Sequence, residues 1–343
     1  MTQYDEISTI SGENEHVDKM VIGAHNALKY ILSLKKEDSL LVITDESKKN
    51  IGKAFEASAR KLGAKTQSYV LPEESRPLSE IPEDLNPLIG SSQVFVNAFS
   101  SNAKETPFRI KLVKLQQSIG ARVGHAPGIT EDMMAEGPMT ADYEEIVGNA
   151  WHLMEAFKSA SKVHITTLEG TDITLDIKDR EFETDVSIRP GCIGNLPAGE
   201  IWCAPKENGA QGMILVNGPI GDIGDVREPL KIRVVNGKIE SMESEDAALL
   251  SKIRELTSLD DMASIVGEFG IGLNPKARLT GNLLEDEKAG GTAHIAFGYN
   301  ENMPGGTNNS KTHRDFLFHR PTLEVEYKDG NRKVIVKDGS VVL

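Results

Sequence analysis

"DSLLVITD", residues 38–45, is a short apolar run between polar ends. A run of this kind offers no alternate polar face to water, so it reads as a strand covered on both sides, which is the condition of a parallel sheet. The surroundings agree. Upstream, "HVDKMVIGAHNALKYILSL" (16–34) carries apolar residues at helical spacing, and downstream "KKNIGKAFEASARKLGA" (48–64) does the same and ends at Gly63. "KTQSYVLP" (65–72), "SQVFVNAF" (92–99) and "ARVGHAP" (121–127) supply further strands, and "ETPFRIKLVKLQQSIG" (105–120) is an intervening helix. Strands that alternate with helices build βαβ units, so the N-terminal part reads as an α/β domain with an open, mostly parallel sheet.

Such sheets often bind nucleotides through a glycine-rich turn after the first strand. Here that turn reads "VITDESKKNIGKAF", with neither G-x-G-x-x-G nor a Walker loop, and "GHAPGIT" (124–130) has the wrong spacing. Nucleotide binding is not expected. "MTADYEEIVGNAWHLMEAFKSA" (139–160) reads as a long helix leading to a second domain, beyond which the pattern changes to hairpins. These are 162–179, 230–244 and 322–343, with Asn236-Gly237 and Asp338-Gly339 as tight-turn pairs. The division expected is 1–160 for the α/β domain and 161–343 for a β-rich α+β domain.

With 343 residues the chain has room for two cores. A formal net charge of −14 argues against nucleic acid as a partner, because phosphate binding needs concentrated Lys and Arg. No stretch approaches the roughly 20 apolar residues of a membrane span. The opening "MTQYDEISTISGENEHVDKM" lacks the basic start and apolar middle of a secretory signal. Two cysteines, Cys192 and Cys203, are too few for a disulfide framework or a zinc–cysteine site, so a cytoplasmic setting is expected.

Chemistry gathers near the C-terminus. In "GGTAHIAFGY" (290–299), strand alternation sends Ile295 and Phe297 to one face and His294 and Gly298 to the other. In "KTHRDFLFH", His313 and Asp315 lie two apart and share a face, while Phe316 and Phe318 take the opposite one. Two imidazoles and a carboxylate suit a divalent metal with open positions for water or substrate. Glu200 in "GNLPAGEIWCAP" and Glu268 in "SIVGEFGIGLNP" are carboxylates among apolar residues, costly to desolvate unless paired or bound to a metal. An exposed strand-end glutamate is the alternative for each.

"NLPAGE", "GEFGIGLN", "LLEDEKAGGTAHIAFG" and "GGTNNSKTHRDF" stand in the order used by the thermophilic metalloaminopeptidases, the aminopeptidase T and aminopeptidase S group, and the chain resembles that family over most of its length. The resemblance implies that Glu200, Glu268, His294, His313 and Asp315 are metal ligands and that Tyr299 is the active-site tyrosine. It also implies a pair of divalent ions (zinc, cobalt or manganese) sharing a bridging carboxylate, a peptide substrate and a homodimer. Glu287, in "EDEK", matches a recurrent acid of the family and could orient a ligand or act as a base; a helix-surface glutamate is the other reading. The interval from His294 to His313 is shorter than the family's, and Tyr299 follows His294 more closely.

Two other functions compete. The 2,5-dihydroxypyridine dioxygenases resemble this family and use one iron held by two histidines and a carboxylate, a set that His294, His313 and Asp315 would supply. A family member reduced to a binding or assembly role is the third possibility, and the complete ligand set argues against it. The presence of both Glu200 and Glu268 favours the hydrolase.

Overall fold

The computed structural model describes residues 15–343, so the first fourteen residues of the stretch read above as no secretory signal lie outside it. The chain divides into two compact units. One comprises the residues up to Glu144 together with Asp185–Ala198, and the other comprises Glu145–Thr184 and Gly199–Leu343. The expected division at 160/161 differs from these units in two places. The helix Tyr143–Phe157 belongs almost wholly to the second unit, and the short strand Ile193–Asn195 pairs in parallel with Arg122–His125 of the first. Three residues of added parallel strand leave too little periodicity to be read in a sequence.

The first unit is built on five described strands, all parallel. Ser39–Thr44 pairs with Lys65–Val70 on one side and Val94–Ala98 on the other, followed outward by Arg122–His125 and Ile193–Asn195. Leu40 through Thr44 are buried, as a strand flanked on both edges and covered on both faces requires. The helix Lys49–Lys61 turns Ile51, Ala54, Phe55 and Ala59 inward at helical spacing. Gly63, at φ 77°, ends it: the Ala64 N–H donates to the Ala59 carbonyl and closes the turn.

In open α/β sheets ligands bind beyond the carboxyl ends of the strands, where the strand order reverses. That point lies here between Ser39–Thr44 and Val94–Ala98, and it is filled. Asp45 accepts from the Ser100 backbone N–H at 2.7 Å and from the Arg76 guanidinium at 2.6 Å, and Arg76 forks onto Glu105 at 2.8 and 2.6 Å. Asp45 is held at about 2: burial opposes the charge, and the Ser100 and Arg76 hydrogen bonds outweigh it.

The second unit holds two antiparallel sheets. Eight strands run in the order 238–243, 230–235, 210–216, 172–176, 160–166, 322–327, 332–337 and 340–341. Asn236 and Gly237, both at positive φ, form the turn between the first two, as their sequence suggests. The other sheet orders His313–His319, Thr292–Gly298, Val266–Gly272, Glu200–Cys203 and Glu183–Thr184. Among the described residues no helix is long and apolar enough to cross a membrane. Cys192 and Cys203 are both free thiols, and burial pushes the Cys203 thiol up.

Candidate metal centre

One face of the smaller sheet carries every residue singled out as a ligand. Directly opposed residues of an antiparallel pair share a face. Register sets Gly270 against His294, Ala296 against Asp315, Gly298 against His313, Ala296 against Glu268 and Gly272 against Glu200. The reverse face carries Phe269, Ile271, Ile295, Phe297 and Phe316, all buried, with Phe297 and Phe316 edge to face at 5.4 Å.

Glu268 reaches the polar face through an irregularity. Val266 pairs with Phe297 and Glu268 with Ala296, so Gly267 is an extra residue that shifts the register. Without that bulge, Glu268 would share the face of Val266; with it, the carboxylate turns to the histidines. Gly267 is required because a Cβ there would stand 2.3 Å from the Gly298 carbonyl oxygen. Gly270 is as constrained: a Cβ would lie 2.0 Å from Nε2 of His294, whose ring rests in that space.

The polar atoms converge. His313 Nε2 lies 3.0 Å from Glu268 Oε2 and 3.6 Å from Asp315 Oδ1. His294 Nε2 lies 3.5, 3.7 and 4.0 Å from oxygens of Glu268, Glu200 and Asp315. Glu268, His313 and Asp315 each offer a donor atom within 4.8 Å of the others. Most of these separations are long for hydrogen bonds, but a tetrahedral ion with ligands at about 2.0–2.2 Å holds them about 3.3–3.6 Å apart. All but His313, whose side chain is 30% exposed, are buried, so the centre opens at that imidazole.

Orientation is fixed from outside the cluster. His313 Nδ1 stands 2.7 Å from the Tyr299 carbonyl oxygen; donation to it leaves Nε2 free to ligate, the usual arrangement of a metal-bound histidine. Electrostatics records the crowd of acids. Burial alone would lower His294, yet the Glu268 hydrogen bond and the charges of Asp315 and Glu200 raise it to about 9. His313 is raised by Asp315 and Glu268 against the same burial. Glu268, also opposed by burial, is held at about 2 by hydrogen bonds from the two histidines. Protons on the imidazoles do here what a cation would do.

Glu287 follows the short helix Leu283–Asp286, and its carboxyl is pushed up, first by burial and also by the charge of Asp315. It is therefore no helix-surface glutamate. Tyr299 meets the cluster through its main chain, its carbonyl facing His313 and its N–H donating to Thr312. Lys288 is the residue that sequence reading missed. It is fully buried, its Nζ lies 2.5 Å from Glu200 Oε1, and it also contacts Glu287. Within "EDEK" it reads as one more solvated charge, and only the fold turns it inward.

Sheet and cluster together define a metal-dependent class of protein, built on a parallel α/β unit and an antiparallel unit that bears the donors. The profile of the thermophilic metalloprotease (M29) family matches residues 134–341, and the chain belongs to that family. It is 27% identical over 225 residues to aminopeptidase T of Thermus thermophilus, covering 58% of this chain and 54% of that protein. To aminopeptidase AmpS of Bacillus subtilis it is 24% identical over 195 residues, or 50% and 47%. The match thus spans about half the length of these relatives. Among solved structures, 2,5-dihydroxypyridine dioxygenase of Pseudomonas putida shares the fold with a TM-score of 0.73 at 17% identity, covering 96% of this chain and 98% of that one. AmpT of Thermus thermophilus does so with 0.70 at 16%, covering 95% and 99%.

Proposed function

We propose that the protein is a metal-dependent aminopeptidase that removes N-terminal residues from peptides. The observation that carries this reading is the convergence of Glu268, His313 and Asp315, with His294 beside them, in a chain of a metalloprotease family. The donor set fits a divalent ion: mixed imidazole and carboxylate, closely spaced, with Nε2 of both histidines turned to the carboxylate oxygens. When bound, such an ion supplies Lewis acidity that polarises a carbonyl and acidifies a water.

The chain's own groups supply the rest. His313 is held ligand-ready by the Tyr299 carbonyl, and the apolar reverse face keeps the sheet that carries the donors rigid. Glu287, with its proton affinity raised by burial, is assigned to take a proton from the attacking water and return it to the leaving amine. The Tyr299 phenol is assigned to donate to the oxygen of the tetrahedral intermediate. The two-ion arrangement of the resemblance, with zinc, cobalt or manganese, would draw Glu200 into the ligand set beside Glu268, His294, His313 and Asp315. A homodimer in the cytoplasm completes the proposal, and light scattering across micromolar concentrations reads the oligomer directly.

Hydrolysis of aminoacyl anilides, run beside oxygen uptake with iron and a dihydroxypyridine, tests the activity. The aminopeptidase cleaves substrates with a free amine, spares N-acetylated ones and consumes no oxygen. The competing reading, favoured by the His294, His313 and Asp315 set, is an iron-dependent ring cleavage. Oxygen-dependent ring opening lost in His313→Ala, with no anilide cleavage under any metal, would replace the hydrolase by that dioxygenase.

A further inference from the structure

The loop 299–312 joins the two strands that carry His294 and His313, and two asparagines close it from within. Asn300 and Asn308 are both fully buried. The Asn300 backbone N–H donates to the Asn308 carbonyl at 2.9 Å, and the Asn308 N–H donates to Oδ1 of Asn300 at 2.8 Å. Gly306 lets the loop fold this tightly, since a Cβ there would stand 2.0 Å from the Asn300 carbonyl oxygen. Nδ2 of Asn300 reaches out of the loop: it donates to the Gly267 carbonyl at 3.0 Å and lies 3.4 Å from Oε1 of Glu207. Both polar atoms of the side chain are engaged.

These contacts fall on the two peptide groups that aim metal donors. Gly267 is the extra residue of the bulge, without a partner in the register, and its carbonyl belongs to the same planar peptide as the Glu268 N–H. A hydrogen bond to that carbonyl fixes the plane from which the Glu268 side chain departs. The Tyr299 carbonyl, 2.7 Å from Nδ1 of His313, belongs to the same peptide as the Asn300 N–H. The Asn308 carbonyl holds one end of that plane, and the other end holds the imidazole. We propose that Asn300 is a positioning residue of the metal centre: one buried side chain that ties the bulge bearing Glu268 to the loop that orients His313. The inference rests on the metal-site reading above and adds to it a residue that acts through two ligands without being one. Asn308 shares the clasp but not the task, because its Nδ2 donates to the Met262 carbonyl at 3.1 Å, outside the strand Val266–Gly272.

Calorimetric titration of the metal-free protein with zinc or manganese above neutral pH, beside thermal melts, tests the inference on Asn300→Asp and Asn308→Asp. Each variant keeps the side chain's shape and an acceptor oxygen, loses a buried donor to a carbonyl and adds one negative charge, so lost bonding and added charge are matched. Both are expected to melt below wild type. Metal affinity is expected to fall about 10- to 100-fold in Asn300→Asp, the usual cost of losing a group that orients a ligand, and to stay near that of wild type in Asn308→Asp. If Asn300→Asp does not fold, Asn300→Ser against Asn308→Ser makes the same comparison. Unchanged affinity in a folded Asn300 variant, or an equal loss at both positions, would overturn the inference and leave the metal-site reading intact. No binding of either metal by wild type would overturn both.

Discussion

Each unit of this protein buries a knot of charge, and the two are balanced in different ways. At the strand ends of the parallel sheet, Arg76 meets Asp45 and Glu105 in short, forked hydrogen bonds, the Ser100 and Leu78 backbone N–H groups each donate to a carboxylate oxygen that Arg76 also contacts, and the Ser47 hydroxyl donates to the other oxygen of Asp45. On the polar face of the antiparallel sheet, four carboxylates face one lysine and two histidines, and the histidine-to-carboxylate distances run from 3.0 to 4.0 Å. The first knot is satisfied by its own cation and occupies the place where a ligand would otherwise enter. The second is short of positive charge and spaced for an atom that is not part of the chain. Buried acids with their partners in contact stabilise the fold, whereas buried acids held slightly apart prepare a site.

The largest effect that would break this contrast is on stability. Arg76→Met strands Asp45 and Glu105 without a cation and is expected to cost about 3–5 kcal/mol in denaturant unfolding, with no change in metal content. Asp315→Ala should do the opposite. It removes a donor without opening the reverse, Phe316-bearing face, so turnover should fall on the order of 10³-fold, about 4 kcal/mol in the barrier, while the unfolding midpoint stays near that of wild type. Tyr299→Phe keeps the carbonyl that orients His313, so metal content should hold and kcat should fall about 10²-fold, which isolates the phenol.

The smallest effect is the response to pH. Asp45 sits below its usual range, so its contribution, about 2 kcal/mol, is complete above the ordinary aspartate value of 3.8 and disappears as pH falls through about 2. His294 sits above its usual range, so its contribution is complete below 6.5 and is lost as pH rises through about 9. Metal-free protein should therefore weaken between pH 6.5 and 9, a window in which the Asp45 knot is unaffected. Metal-loaded protein should not, because the ion takes the place of the imidazole protons. Thermal melts of both forms across pH 6–10 compare them.

Local pattern made much of this legible. The apolar run at 40–43 marks a doubly covered strand, and alternation in 294–298 and 313–319 separates the donor face from the aromatic one. Register between distant strands was not legible. Nothing near Glu268 says that Gly267 is a bulge, and without the bulge that carboxylate would have been assigned to the face of Val266. Gly270 looks like any strand glycine until His294, from the neighbouring strand, is laid over it. Lys288 and Glu287 sit in a charge run whose local reading is solvent exposure. The phenol is what distinguishes Tyr299 in the sequence, yet its contact with His313 is through a carbonyl, which every residue owns.

The space above Gly270 has a consequence over evolutionary time. The His294 ring lies where a β-carbon would be, so the histidine is admissible only where the glycine stands. A descendant that lost His294 would keep its sheet, and position 270 could then drift to alanine or larger, gaining strand propensity. From that point the histidine could not return until the glycine had returned first. Loss of this one ligand would tend to be irreversible, and lineages that abandoned the chemistry would carry a side chain at 270 as its record.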